Sequence, residues 1–204
     1  EWLQVMTAQQ IIYRSGDLYS ITPDDALRAR RLAGNKKAQT QLPKAIRIAS
    51  FLYQFPFVRG IGISGSLSKN VADDTSDFDF FIITSANRLW IARTIMHFFK
   101  KLTFITGHQH WFCMNYFIDE AALQIEEQNI FTATELVTLI PVCGETTLDE
   151  FYISNRWTND YFPNCAAHKT TVQPERRSWC KKAFEWLLDH SSFDALDDYL
   201  MRLT

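Results

Sequence analysis

Two aspartates one residue apart, downstream of a short glycine–serine run, carry the chemistry in this chain. Ten residues lie between Ser66 of Ile63-Ser64-Gly65-Ser66-Leu67-Ser68-Lys69 and the first acid of Asp77-Phe78-Asp79-Phe80-Phe81-Ile82-Ile83. Side chains alternate along a strand, so Asp77 and Asp79 share one face while Phe78 and Phe80 point into a core. Two carboxylates on one face offer hard oxygens to Mg²⁺ or Mn²⁺. Mg²⁺ takes one or two such ligands and completes its shell with phosphate oxygens and water. The turn supplies backbone N–H groups and hydroxyls for phosphate oxygens. On this reading Asp77 and Asp79 hold the metal, and Ser64, Gly65, Ser66, Ser68 and Lys69 bind the phosphates. The alternative for the two acids is a solvated pair at a strand edge.

The surrounding elements must place these groups. Val58–Ser64 reads as a strand leading into the turn, and 77–84 as the strand that carries the acids. Gly60, Gly62 and Gly65 leave room for close approach of backbone or ligand. A helix capped by Ser85 or Asn87 runs to about Leu102, with Leu89, Ile91, Ala92, Ile95, Met96, Phe98, Phe99 and Leu102 as its apolar stripe. A third strand covers 110–118. Strict alternation there puts Phe112, Met114, Tyr116 and Ile118 on one face and Cys113, Asn115 and Phe117 on the other.

Upstream, Thr22 is read as an N-cap with Pro23 at the first helical position, and the helix loses its pattern near Gly34-Asn35. Pro43 opens the next helix, which Pro56 ends. Residues 1–42 form an N-terminal appendage, a hairpin between helices that resembles the end of a winged-helix unit. Residues 43–125 form the core. From 126 to 204 the chain reads as helical, with helices over Phe131–Ile140, Asp149–Tyr161, Ser178–His190 and Ala195–Leu203. The predicted class is α/β: a small mixed, twisted sheet with flanking helices and a helical C-terminal part.

Bulk numbers exclude several classes. Hydrophobic residues make up 47% of the chain and aromatics 14%, enough for a packed core, so disorder is excluded. The formal net charge of −2 gives no global attraction to nucleic acid. No apolar run approaches the ~20 residues of a membrane-spanning helix, so no membrane partner is expected. Cys113, Cys143, Cys165 and Cys180 are scattered, as reduced thiols of a cytoplasmic protein would be. The chain opens on Glu1 rather than Met, and an upstream extension is expected. His108 with His110, and Cys165 with His168 and Cys180, are metal-type groupings that each lack a further ligand.

Gly65-Ser66, a spacer and Asp77-x-Asp79 together resemble the signature of the nucleotidyltransferase superfamily that includes DNA polymerase beta. This likeness covers roughly Val58–Asp119. Arg88-Leu89-Trp90, Asn115-Tyr116, Thr132-Ala133-Thr134-Glu135-Leu136 and Asn155-Arg156-Trp157 are similar to a group of uncharacterised bacterial nucleotidyltransferase-domain proteins. The resemblance implies a nucleotidyltransferase fold over 43–125. It also implies Mg²⁺-dependent transfer of a nucleoside monophosphate from a nucleoside triphosphate to an unidentified acceptor. Members of the superfamily place a third carboxylate on the third strand, where this chain has Asn115, which is then a candidate metal ligand through its amide oxygen. Asp119, Glu120 or Glu135 could replace the missing acid. Lys69, Arg59, Arg88 and Arg93 are candidates for charge compensation, each against an ordinary role as a solvated cation.

Two other classes remain open. The loss of the third carboxylate fits a non-catalytic nucleotide-binding or regulatory module. Arg28, Arg30, Arg31, Lys36 and Lys37 would serve a nucleic-acid-binding regulator, against the near-neutral total charge.

Overall fold

In a computed structural model of the chain, the residues described are 2–73, 77–103, 111–165, 179–188, 190 and 192–203. The chain opens with α1 (Trp2–Ala8) and an antiparallel hairpin of β1 (Tyr13–Ser15) and β2 (Leu18–Ser20). It continues into α2 (Asp25–Leu52), a single helix of 28 residues. The two helices expected here are one. Its cap is Asp24 rather than Thr22, and the Asp24 side chain accepts from the Ala26 N–H at 2.8 Å. Pro43 lies inside the helix and removes one internal hydrogen bond. The buried face is built of small residues, Gly34, Ala38, Ala45 and Ala49, with Leu52 at its end. Close packing of that face carries the helix through both breakers, past residue 42.

The sheet follows. β3 (Val58–Ile63) leads through the one-turn helix α3 (Gly65–Ser68) to β4 (Asp79–Thr84), which pairs antiparallel with it. α4 (Leu89–Thr103) crosses over to β5 (Cys113–Asp119), parallel to β4. After α5 (Ile130–Thr138) comes β6 (Ile140–Cys143), antiparallel to β3. The order is β5-β4-β3-β6 and the sheet is mixed. β6 corrects the expectation that everything beyond residue 126 is helical. Ile140, expected to close the helix over Phe131–Ile140, opens this strand, and Pro141 sits in it opposite Gly62, a place where proline is tolerated.

The remaining elements are α6 (Glu145–Ser154), α7 (Thr158–Tyr161), α8 (Trp179–Leu188) and α9 (Ser192–Arg202). The single helix expected over Asp149–Tyr161 breaks at Asn155. That buried amide accepts from the Ile125 N–H and donates to the Leu123 carbonyl, both at 2.8 Å. His108, His110 and His168 lie outside the described residues. Among the described residues, no helix is long and apolar enough to cross a membrane, and none of the four cysteines forms a disulfide.

The two sheet faces have separate cores. Ile61, Ile63, Phe80, Ile82 and Met114 pack against α2 and Met96 of α4. Phe81, Ile83 and Ile118 pack against Leu136, Leu139, Leu148 and Phe151 of the α5–α6 region. On β3 the room at Gly62 is taken by Leu139, whose Cγ would lie 2.8 Å from an added Cβ.

The C-terminal helices brace α4. Asp197 of α9 accepts from the Ile91 N–H at 2.8 Å, so a side chain distant in sequence serves the first turn of α4. Arg88 pairs with Asp194. Lys181 of α8 is 1% exposed and donates to the Tyr53 and Val58 carbonyls at 2.8 and 2.6 Å. Removing that donor takes one hydrogen bond from each of two buried carbonyls. Lys181→Ala is expected to cost about 3 kcal/mol, while Lys182→Ala on the exposed side changes stability by under ~0.5 kcal/mol. Chemical denaturation midpoints of both variants check this, and equal midpoints contradict it.

Candidate active site

Asp79 opens β4 with Cys113 of β5 as its register partner. Phe78 and Phe80 are buried on the opposite side, as alternation requires. The Asp79 carbonyl accepts from the Ser64 N–H at 2.9 Å, which ties the turn to the strand. Gly65 has φ +67°, and a Cβ there would collide with Asp79 Oδ2. The glycine is required twice, by its left-handed backbone and by the carboxylate lying against it.

β5 carries the decisive irregularity. Phe80 pairs with Met114 and Phe81 with Tyr116, so Asn115 is an extra residue, a β-bulge. Strict alternation fails here. Phe112 and Met114 belong to the α2 side, whereas Ile118 joins the other core and Tyr116 stacks on Phe81 at 5.4 Å and 9°. The bulge brings Asn115 to Asp79. Its Nδ2 donates to Asp79 Oδ1 at 2.5 Å, and its Oδ1 accepts from the Cys113 thiol at 3.0 Å.

Burial raises the Asp79 pKa above the ordinary aspartate value. The Cys113 thiol and the Asn115 amide act against that rise, and repulsion from Asp77 and Glu135 adds to it. Burial likewise raises the Cys113 thiol against the pull of Lys100, with Asp79 and Asp77 contributing. Asp77, just before the strand rather than in it, therefore sits within electrostatic reach of Asp79.

A cavity of about 450 Å³ opens over this face. One wall is the sheet, with Asp79, Phe81, Asn115 and Tyr116, joined by Ser64 and Gly65 of the turn. The other is the face of α5 that carries Phe131, Thr132, Glu135 and Leu136, with Leu139 just past its end.

The expected phosphate-binding residues divide. Ser64 and Gly65 line the cavity, and Ser66, Ser68 and Lys69 do not. The Ser68 hydroxyl donates to the Gly65 carbonyl at 2.9 Å. Lys69 Nζ donates to the Gly65 carbonyl at 3.0 Å and to Glu135 Oε2 at 2.9 Å, bridging the turn to α5.

Of the acids offered as replacements for a third carboxylate, Glu135 alone is in the cavity wall. The Asp119 carboxylate accepts from the Asn87 and Ala121 N–H groups at 2.8 and 2.7 Å, and Glu120 accepts from the Ala86 N–H at 3.1 Å. Both are held at the opposite end of β4. The arginines are also elsewhere. Arg59 pairs with Glu185 at 2.6 Å, Arg88 with Asp194, and Arg93 lies over Trp90. Sequence reasoning missed Glu127, Asn129, Phe131 and Thr132 as cavity residues. The spacing of Phe131, Thr132, Glu135 and Leu136 along one helix face was the available signal.

Among the described residues, no three His, Cys, Asp or Glu side chains converge in a metal-holding group. No protein-family model, curated protein or solved structure matches the chain.

Because the folded pKa of Asp79 exceeds its unfolded value, its favourable contribution is complete below the unfolded pKa and is lost as pH rises through the folded one. Asp79→Asn keeps an acceptor for Asn115. It is expected to raise the thermal midpoint at neutral pH, with the gain vanishing below the ordinary carboxylate range. A variant less stable than wild type at neutral pH contradicts the raised value. Gly65→Ala is expected to cost on the order of 2 kcal/mol. That cost shrinks in an Asp79→Ala background, and a double-mutant cycle by denaturant titration measures the coupling.

Proposed function

We propose that the cavity is the substrate site of a Mg²⁺-dependent nucleotidyltransferase, which moves a nucleoside monophosphate from a nucleoside triphosphate to an acceptor. The observation that supports this most is Asp79 itself: a strand carboxylate in a cavity wall, laid against a left-handed glycine and repelled by Asp77 and Glu135. A carboxylate whose pKa is raised by burial first and by neighbouring carboxylates second is relieved by a divalent cation. The donor chemistry fits Mg²⁺ or Mn²⁺, since Asp77 and Asp79 are hard oxygen ligands, while Asn115 turns its Nδ2 to Asp79 and its Oδ1 to the Cys113 thiol. When bound, such an ion polarises phosphoryl oxygens and makes an acceptor hydroxyl more acidic.

The chain's own residues supply the rest. The first N–H groups of a helix have no partner within it, so Gly65, opening α3 in the cavity wall, presents a donor to phosphate oxygens. Lys69 adds a cation at that turn. Its ammonium already bonds Glu135, and exchange of that carboxylate for a phosphate oxygen keeps its charge compensated. The likeness of Gly65-Ser66 and Asp77-x-Asp79 to the superfamily signature supports the same reading. Four cysteines outside any disulfide accord with a cytoplasmic setting.

A second reading is favoured by Asn115. An amide that donates to Asp79 where the superfamily has an acid suits a module that binds nucleotide without turnover.

Calorimetry with each common triphosphate, with and without Mg²⁺ or Mn²⁺, separates the two from the start. The enzyme reading expects metal-dependent binding and pyrophosphate release when labelled triphosphates are offered with hydroxyl-bearing acceptors. Asp77→Ala and Asp79→Ala are expected to lower turnover by at least ~100-fold. Binding without turnover, joined by activity gained in Asn115→Asp, supports the second reading. Triphosphate binding that ignores both metal and Asp79 defeats both.

A further inference from the structure

We propose that the end of the cavity beside Tyr116 and the start of α5 is a nucleobase subsite selective for guanine, with Tyr116 as stacking platform and Glu127 as hydrogen-bond acceptor. This rests on the triphosphate reading above and assigns its base.

The cavity lining is of two chemical kinds. Ser64, Gly65, Asp79, Asn115 and Glu135 are small or polar, and Phe81 and Tyr116 on the sheet and Phe131 on α5 are aromatic. Tyr116 lies nearly parallel to Phe81 at 5.4 Å, and Phe81 is backed by Phe151 at 4.9 Å. This gives a rigid stack whose outermost ring is 48% exposed. Phe131 is 81% exposed although it lines the cavity. A flat aromatic ligand would cover both rings, and every base offers a π-face to do so. The volume of about 450 Å³ lies within the range of small-molecule sites.

The hydrogen-bonding groups at the start of α5 fix which base. Asn129 is engaged through its Oδ1 and through one N–H of its Nδ2. Its Oδ1 accepts from the Phe131 and Thr132 N–H groups at 2.9 Å, and its Nδ2 donates to Glu127 Oε1 at 3.1 Å. That last bond orients the Glu127 carboxylate and leaves Oε2 and further lone pairs for a ligand. An ionised carboxylate only accepts. Guanine presents two adjacent donors, N1–H and the 2-amino group, which match it bidentately. Adenine and cytosine each present one amino group beside a ring acceptor. Uracil presents a single N–H between two carbonyls, which a carboxylate repels. Among the described residues, no lysine, arginine or histidine lines the cavity to read those carbonyls instead.

The test is equilibrium binding to the full chain with Mn²⁺ present, using the four ribonucleoside triphosphates, and the four nucleosides without metal. GTP is expected to bind about tenfold more tightly than ATP or CTP, and UTP most weakly. Glu127→Gln, which introduces a donor, is expected to erase that preference while thermal denaturation remains unchanged. Tyr116→Ala is expected to weaken every base by about tenfold, and Tyr116→Phe, which keeps the platform, to restore it. Equal affinities across the four triphosphates, or a guanine preference that survives Glu127→Gln, overturns the subsite. The Asp79→Ala variant keeps the two ideas apart. If it abolishes metal-dependent triphosphate binding while the bases are not discriminated, the subsite fails and the triphosphate reading stands. If guanosine alone binds selectively but no triphosphate binds with metal, the triphosphate reading fails and the subsite stands.

Discussion

Asp79 reaches the cavity only because residue 65 has no side chain. The carboxylate and the turn occupy adjoining space, and the backbone at Gly65 adopts a conformation that L-residues avoid. From that contact the other features follow in order. The Ser64 N–H is anchored to the Asp79 carbonyl, the one-turn helix starts where the strand ends, and Lys69 at its far side reaches α5. A carboxylate held half out of water beside two others is an electrostatic liability for folding. The stability this arrangement forgoes is made up elsewhere.

Much of that compensation lies in the C-terminal helices. Asp197 and Asp194 of α9 engage the start of α4, and Lys181 of α8 fastens the turn after α2 to the first core strand. These are buried or half-buried polar bonds between elements far apart in sequence. They fix the helix between β4 and β5, and so hold the two strands that meet at Asp79 and Asn115 in register.

Legibility in the sequence followed how local each cause was. β3 and β4 were readable because their apolar runs and the Phe78/Phe80 alternation are local signals. So was the company of Asp79 with Gly65, and the turn to Asn115 as the polar group opposite. α2 was misread because Gly34 and Pro43 are local breakers, whereas its continuity comes from a face of small residues packed on the sheet. β6 was missed because four residues with a proline at the second position carry no strand pattern, and only the vacant side of β3 makes them one. The bulge was invisible because Phe112 to Ile118 is apolar on nearly every register, and pairing with β4 alone decides where the extra residue falls. In the sequence Glu135 was one of three candidate acids, with Asp119 and Glu120. The long-range hydrogen bonds of Asp119 and Glu120 are what single it out.

The bulge at Asn115 has a second consequence. β5 ends the sheet among the described residues, so its outward N–H and C=O groups face no neighbouring strand. A regular row of such groups templates the addition of another chain. One surplus residue in the middle breaks the ladder's spacing, so an incoming strand would lose its match after two or three pairs. The kink that aims an amide at a carboxylate thereby also guards the margin of the sheet against self-association.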